Sequence, residues 1–208
     1  MIDFRFYLIS DRNLCRGRPL TSVLKQACQA GVRAIQIREK DLTSDDLLNL
    51  TKTIKIELAE YKPLIMINSS INVTLDSGVG GIHLPENIKI QMVRKDLPKG
   101  VLIARSTHSR AGAEAAEAEG ADFITYGPIY YTPSKAQYGP PKGLRELSKI
   151  AKSVKIPIFA LGGITPDRTR ECLDAGAYGV AAISAVLEQP DISVAVTNFV
   201  NALHKNIS

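Results

Sequence analysis

The chain has no tryptophan, three cysteines and three histidines among its 208 residues. Each shortage narrows what it can be. Cys15, Cys28 and Cys172 leave one thiol over in any pairing, and their spacing fits neither a disulfide framework nor a zinc site. Two of them fall on helix-like segments, so a reduced, cytoplasmic setting is expected. His83, His108 and His204 make no pair with zinc-ligand spacing. No P-loop and no Gly-x-Gly-x-x-Gly occurs. No apolar run approaches the length needed to cross a bilayer, so no membrane partner is expected. The opening stretch MIDFRFYLIS carries Asp3 and Arg5 inside its apolar residues. It reads as a first core strand rather than a secretory leader.

Charge of one sign is also not concentrated. Lys and Arg number 26 against 21 Asp and Glu, a net charge of +5. The basic residues interleave with acids, as in KTIKIELAE and PDRTRECLD, and no aromatic–basic stripe stands out. Nucleic acid is therefore not an expected partner, and a site for a small anionic substrate accounts for the excess. A homo-oligomer is compatible with the sequence, which does not set the number of copies.

What the chain does have is alternation. At 45% hydrophobic residues it can fill a core, and its length suits one domain over residues 1–208. Strand-length apolar runs occur at FYLIS, AIQIR, LIMIN, GIHLP, LIARS, FITYG, IFALGG and GVAAIS. Helix-like segments separate them. Continuous apolar runs fit parallel strands buried on both faces. Eight such units predict an α/β fold, a single (β/α)8 TIM barrel, with an open doubly wound sheet as the alternative. Gly31, Gly78, Gly120 and Gly176 each precede an even-numbered strand. They read as helix C-caps in a quarter-barrel repeat.

In a barrel of this kind the strand C-termini and the loops after them form the functional face. The sequence places Ser10, Asp11 and Arg12 after the first strand, and Gln36, Arg38 and Lys40 at alternating positions on the second. Asn68 ends the third strand and His83 the fourth, with Arg105, Ser106 and His108 on the fifth. The sixth feeds a Pro-rich loop, YGPIYYTPSKAQYGPPKG, that carries Thr132, Ser134 and Lys135. The seventh ends in Gly162-Gly163, inside LGGITPDR, and the eighth in Ile183-Ser184. The two glycines allow close backbone approach to a ligand, and Thr165 with Pro166 reads as a helix start. Together these last two loops predict a phosphate cradle. Ser106 with His108 lacks an orienting acid and is not read as a nucleophilic triad.

The ordered set YLISDR, QIREKDL, MINSSINVTLDSGVGGIHLP, ARSTH, DFITYGPIYYTPSK, ALGGITPDR and AGAYGVAAISAV resembles the thiamine phosphate synthase/TenI family. The resemblance spans nearly the whole chain and implies a (β/α)8 barrel. The synthase branch joins hydroxymethylpyrimidine diphosphate to thiazole phosphate; the TenI branch is associated with aromatising a thiazole tautomer. By resemblance, Gln36, Arg38 and Lys40 meet the pyrimidine and its diphosphate. Asn68 and Ser106 match the family asparagine and serine after the third strand and on the fifth. Thr132, Ser134 and Lys135 match a loop contacting pyrophosphate and the thiazole end. Gly162, Gly163, Ile183 and Ser184 match the thiazole-phosphate cradle. Arg38, Lys40, Ser106 and Lys135 are the implied catalytic set. The chemistry suits these types, because cations stabilise a departing diphosphate.

Three positions depart from the pattern. Ser69 stands where synthases carry an aspartate, and Ile88 stands where they carry a second. Those aspartates hold Mg²⁺ against the diphosphate, so Mg²⁺ is implied only for an active synthase, with Glu86 as a candidate substitute ligand. Pro128 stands where the TenI branch has its acid/base histidine, and proline cannot titrate. The missing aspartates favour a TenI-like enzyme that binds thiazole phosphate. The alternatives are an active thiamine phosphate synthase and a non-catalytic phosphate-ligand-binding or regulatory barrel.

Overall fold

The apolar runs become strands almost where the sequence places them. In a computed structural model, residues 2–133 and 139–204 are described. Among them β1 (Phe6–Ile9), β2 (Ala34–Ile37), β3 (Leu64–Asn68), β4 (Gly81–Leu84), β5 (Leu102–Thr107), β6 (Phe123–Tyr126), β7 (Ile158–Leu161) and β8 (Gly179–Ala182) close into one parallel barrel, with β8 paired back to β1. Five of the eight strands are buried at every residue, as the unbroken apolar runs require.

Helices fill the crossovers: α1 (Leu20–Gln29), α2 (Ser44–Glu57), α3 (Ile71–Ser77), α4 (Ile90–Arg94), α5 (Arg110–Ala118), α6 (Gly143–Ala151), α7 (Pro166–Asp174), α8 (Ser184–Leu187) and α9 (Ile192–His204). Their starts follow from side-chain chemistry. Thr43, Ser70 and Ser109 accept hydrogen bonds from the Asp46, Val73 and Gly112 amides, satisfying donors that a helix start leaves free. Thr165 caps α7 with Pro166 at the first position, as expected, but its side chain makes no cap bond. The four repeat glycines all have positive φ. Two short elements have no counterpart in the sequence reading, α8 and a 3-10 turn at Arg12–Leu14.

Pleating divides the core in two. One apolar set lies between the strands and the helices. The other lies inside the barrel, where Phe4, Tyr7, Phe123 and Phe159 pack with ring centroids 5.1–6.0 Å apart. The barrel is therefore plugged by rings toward its N-terminal end. The polar inward residues Gln36, His83, Ser106 and Thr125 lie further along the strands, at the end where the loops gather. All three cysteines are buried thiols. Among the described residues no helix is long and apolar enough to cross a membrane.

Candidate functional site

Register sets which side chains share the barrel mouth. Gln36 pairs across from Ile9 and Met66, Asn68 from His83, and Ser106 from Thr125. Gln36 is buried and its Nε2 donates to the Tyr7 hydroxyl at 3.2 Å. The same hydroxyl lies 3.3 Å from His83 Nδ1, and His83 Nε2 lies 3.0 Å from Ser106 Oγ. Burial, with the Arg38 charge adding to it, pushes the His83 pKa down to about 3, so the imidazole is neutral. Strand 2 thus connects to strand 5 through two buried rings. Tyr7 was not among the expected site residues. Its signal in the sequence was a hydroxyl-bearing ring in the middle of a core strand.

Arg38 and Lys40 follow β2 on a braced loop. Between them Glu39 turns inward and is buried, accepting hydrogen bonds from Ser10 Oγ and from the Arg12 amide at 2.9 Å. Arg12 Nη1 lies 3.2 Å from Glu39 and 2.6 Å from Asp41, and its hydrogen bond holds the Asp41 carboxyl below the ordinary range. Ser10 Oγ also accepts from the Arg38 amide at 2.9 Å. Ser10 and Arg12, expected on the functional face, form the brace beneath the β2 loop. Asp11 caps the 3-10 turn, accepting from the Asn13 amide at 3.1 Å.

This bracing leaves two like charges together. Arg38 is half-buried and Lys40 is exposed, and neither forms an ion pair among the described residues. The Arg38 charge, followed by desolvation, lowers the Lys40 pKa. Lys40 and Asn68 also line a pocket of about 230 Å³ between the loops after β2 and β3. An uncompensated cation pair beside amide and hydroxyl donors is arranged to receive a multiply charged anion.

Strand 5 divides its residues between two destinations. Ser106 is half-buried and faces the barrel interior. Arg105, expected on the same face, points outward to the helices. Its Nε donates to the Glu86 carbonyl at 3.1 Å, and its Nη1 lies 3.0 Å from Glu119 Oε2. The period-two pleat sends neighbouring residues to opposite faces, which removes Arg105 from the site.

Glu86 is a second correction. Its Oε1 accepts from the His108 amide at 3.3 Å and packs so tightly over Gly112 that an added Cβ there would lie 1.8 Å away. The carboxylate is therefore committed to the start of α5, where a negative charge is favoured. Ser69 has φ of 64° and its amide is bonded to the His83 carbonyl at 3.0 Å, while Ile88 is an exposed apolar side chain. Among the described residues no three His, Cys, Asp or Glu side chains converge. These residues do not fit a carboxylate-held Mg²⁺.

The glycine-rich end of β7 also receives part of the chain itself. Gly162 and Gly163 have φ of 98° and 64°, and what approaches them is the chain's own β6 loop. A Cβ on Gly162 would sit 2.5 Å from Pro128 Cβ, and one on Gly163 2.6 Å from the Tyr131 carbonyl oxygen. The Ile129 and Tyr130 amides donate to Leu161 and Gly162 at 2.9 and 3.0 Å. At the loop's far end the Lys142 amide returns to Pro128 at 2.8 Å. Arg168 Cζ lies 4.5 Å from the Tyr130 ring centre, and the Tyr130 hydroxyl donates to Glu171 at 2.6 Å. The base of the loop is thereby docked on β7 and α7. Thr132 follows it, half-buried, whereas Ser134 and Lys135 lie outside the described residues. Ile183 precedes α8 at the end of β8, next to β7, and Ser184 begins that helix, exposed.

His108 comes from the loop after β5 yet meets β6. Its Nδ1 lies 2.7 Å from the Gly127 carbonyl oxygen, which can only accept, so Nδ1 carries a proton. An imidazole thus stands at the β6 end although Pro128 occupies the position after Gly127.

Comparison with known proteins places this geometry in context. The family description "Thiamine monophosphate synthase" (TMP-TENI) matches residues 6–186. A putative thiamine-phosphate synthase of Geobacter sulfurreducens is 45% identical over 91% of this chain and 90% of its own. A thiamine-phosphate synthase of Syntrophomonas wolfei is 34% identical over 91% of each chain. The solved thiamine phosphate pyrophosphorylase of Pyrococcus furiosus superposes with a TM-score of 0.87 at 32% identity, covering 96% of this chain and 95% of that one. A 3-hexulose-6-phosphate synthase at 14% identity and TM-score 0.75 shares the fold alone. With matched residues running from the start of β1 into α8, the chain belongs to the thiamine monophosphate synthase family.

Proposed function

We propose that this barrel is a thiamine phosphate synthase, a transferase joining hydroxymethylpyrimidine diphosphate to thiazole phosphate. The observation that carries the reading is the Arg38–Lys40 pair, held close by the Glu39 brace and making no ion pair among the described residues. Diphosphate departure places several negative charges at one spot, and prepaid cations there lower the barrier. Gln36 and Asn68 supply amides, and Ser106 a hydroxyl, within the same mouth. The names of the relatives support this reading over the TenI-like one that the missing aspartates favour. The test is direct: incubate protein with both substrates and Mg²⁺ and look for thiamine phosphate. Product formation supports the proposal, and its absence with intact protein overturns it.

A second reading has its own observation. Glu86 is turned to α5 while His108 brings a titratable ring to the β6 end, as a TenI-like acid/base would need. Under that reading the thiazole tautomer aromatises faster with protein than without, and His108→Gln abolishes the difference. Binding of thiazole phosphate without turnover in either assay is the signature of a non-catalytic barrel.

A further inference from the structure

The polar residues inside the barrel form a directed chain. Tyr7 has one proton and three neighbours: Gln36 Nε2 at 3.2 Å, His83 Nδ1 at 3.3 Å and Met66 Sδ at 3.3 Å. Gln36 must donate through its amide nitrogen, so the Tyr7 oxygen is already an acceptor. Two arrangements remain. In one, Tyr7 donates to His83 Nδ1, and His83 carries its proton on Nε2. In the other, His83 Nδ1 donates to Tyr7, and the phenol proton is left to the Met66 thioether.

The acceptors decide between them. An imidazole nitrogen is a strong acceptor and a thioether a weak one. A phenol is also a better donor than a double acceptor. The first arrangement therefore wins, and it fixes the rest of the chain. His83 Nε2–H donates to Ser106 Oγ at 3.0 Å, with Thr125 Oγ1 a more distant neighbour at 3.4 Å. Ser106 then has one lone pair occupied and its own proton free.

We propose that Tyr7 and His83 are positioning residues that fix Ser106 as a hydrogen-bond donor to a phosphate or diphosphate oxygen in the barrel mouth. The proposal assigns polarity as well as proximity. With Nε2 already protonated, His83 cannot take the Ser106 proton, so the pair is not a nucleophile and base. Ser106 stabilises an anion by hydrogen bonding and forms no covalent bond to it. The ligand class rests on the reading of the mouth as a phosphate-ester site; the polarity of the chain does not.

Nitrogen NMR of histidine-labelled protein tests the polarity, with His83 assigned by elimination using His108→Gln and His204→Gln. The expected spectrum has His83 protonated at Nε2 and unprotonated at Nδ1. Protonation at Nδ1 alone, or at both nitrogens at neutral pH, overturns the proposal. Tyr7→Phe keeps the ring in its aromatic cluster and removes the donor, so His83 should show mixed tautomers. Titration with inorganic diphosphate tests the consequence. Ser106→Ala and Tyr7→Phe should each weaken binding, Ser106→Ala by roughly tenfold, and the double variant should be no weaker than Ser106→Ala. Additive losses overturn the coupling. If diphosphate does not bind the parent protein at all, the site reading fails, and the NMR result still decides the polarity.

Discussion

Glu39 and Arg12 hold the β2 loop from below, with the Arg12 amide 2.9 Å and its guanidinium 3.2 Å from the buried carboxylate. The two cations that flank Glu39 in sequence therefore point their charge elsewhere. Removing Arg12 leaves Glu39 its bonds to Ser10 and to the backbone, whereas removing Glu39 strips all three donors at once. Arg12→Ala should cost about 1–3 kcal/mol in urea unfolding, and Glu39→Ala more. Both should reduce turnover beyond any loss of folded protein. Unchanged turnover in Glu39→Ala would show that the brace does not position Arg38 and Lys40.

The cation pair itself makes a separate prediction. Arg38→Met and Lys40→Met should each lower kcat/KM by about 100-fold, the scale of losing one charge stabiliser in a preorganised site. Arg38→Met should also let the Lys40 pKa rise toward the ordinary lysine value, since the Arg38 charge is the main cause of its depression. Nitrogen NMR of labelled lysine reads that shift. A Lys40 that titrates identically in both proteins contradicts the assigned cause.

Gly163→Ala tests whether the β6 loop docks on β7. Its φ is 64°, and a Cβ would meet the Tyr131 carbonyl oxygen at 2.6 Å and Tyr130 Cβ at 2.9 Å. The loop base must shift, at a cost of about 1–3 kcal/mol. Thermal unfolding should fall accordingly, and the Arg168–Tyr130 contact should be lost in a crystal structure of the variant. A variant of parental stability with that contact intact would remove the docking role.

His83 gives a pH dependence with a definite sign. Its folded pKa, about 3, is below the ordinary value of 6.5, so between those limits the unfolded chain binds the extra proton. Stability therefore rises with pH in that window and is lost as pH falls from 6.5 toward 3, at up to about 1.4 kcal/mol per pH unit. His83→Gln should flatten that part of the acid-unfolding curve. An equally steep curve in the variant would mean that other groups carry the acid sensitivity.

The fold was readable because strand burial on both faces leaves continuous apolar runs, and all eight runs, from FYLIS to GVAAIS, became strands within a residue or two. Gln36 and Ser106 were readable as inward residues from the period-two pleat. The same pleat turns Arg105 outward, so a polar residue at a strand end belongs to the mouth only when its parity matches that of Ser106. The roles of Glu86 and of the Gly162-Gly163 pair were less legible for another reason. A carboxylate near a helix start and glycines near a loop serve either a ligand or the chain itself, and only tertiary contacts distinguish the two. Tyr7 was hidden because a tyrosine in a buried run looks like packing until its hydroxyl finds His83.

The central claim is tested by following both products of one reaction. With hydroxymethylpyrimidine diphosphate and thiazole phosphate supplied together, the account predicts one diphosphate released per thiamine phosphate formed, and a large loss of both in Arg38→Met. Intact protein that forms no thiamine phosphate, yet aromatises the thiazole tautomer in a manner dependent on His108, would contradict it.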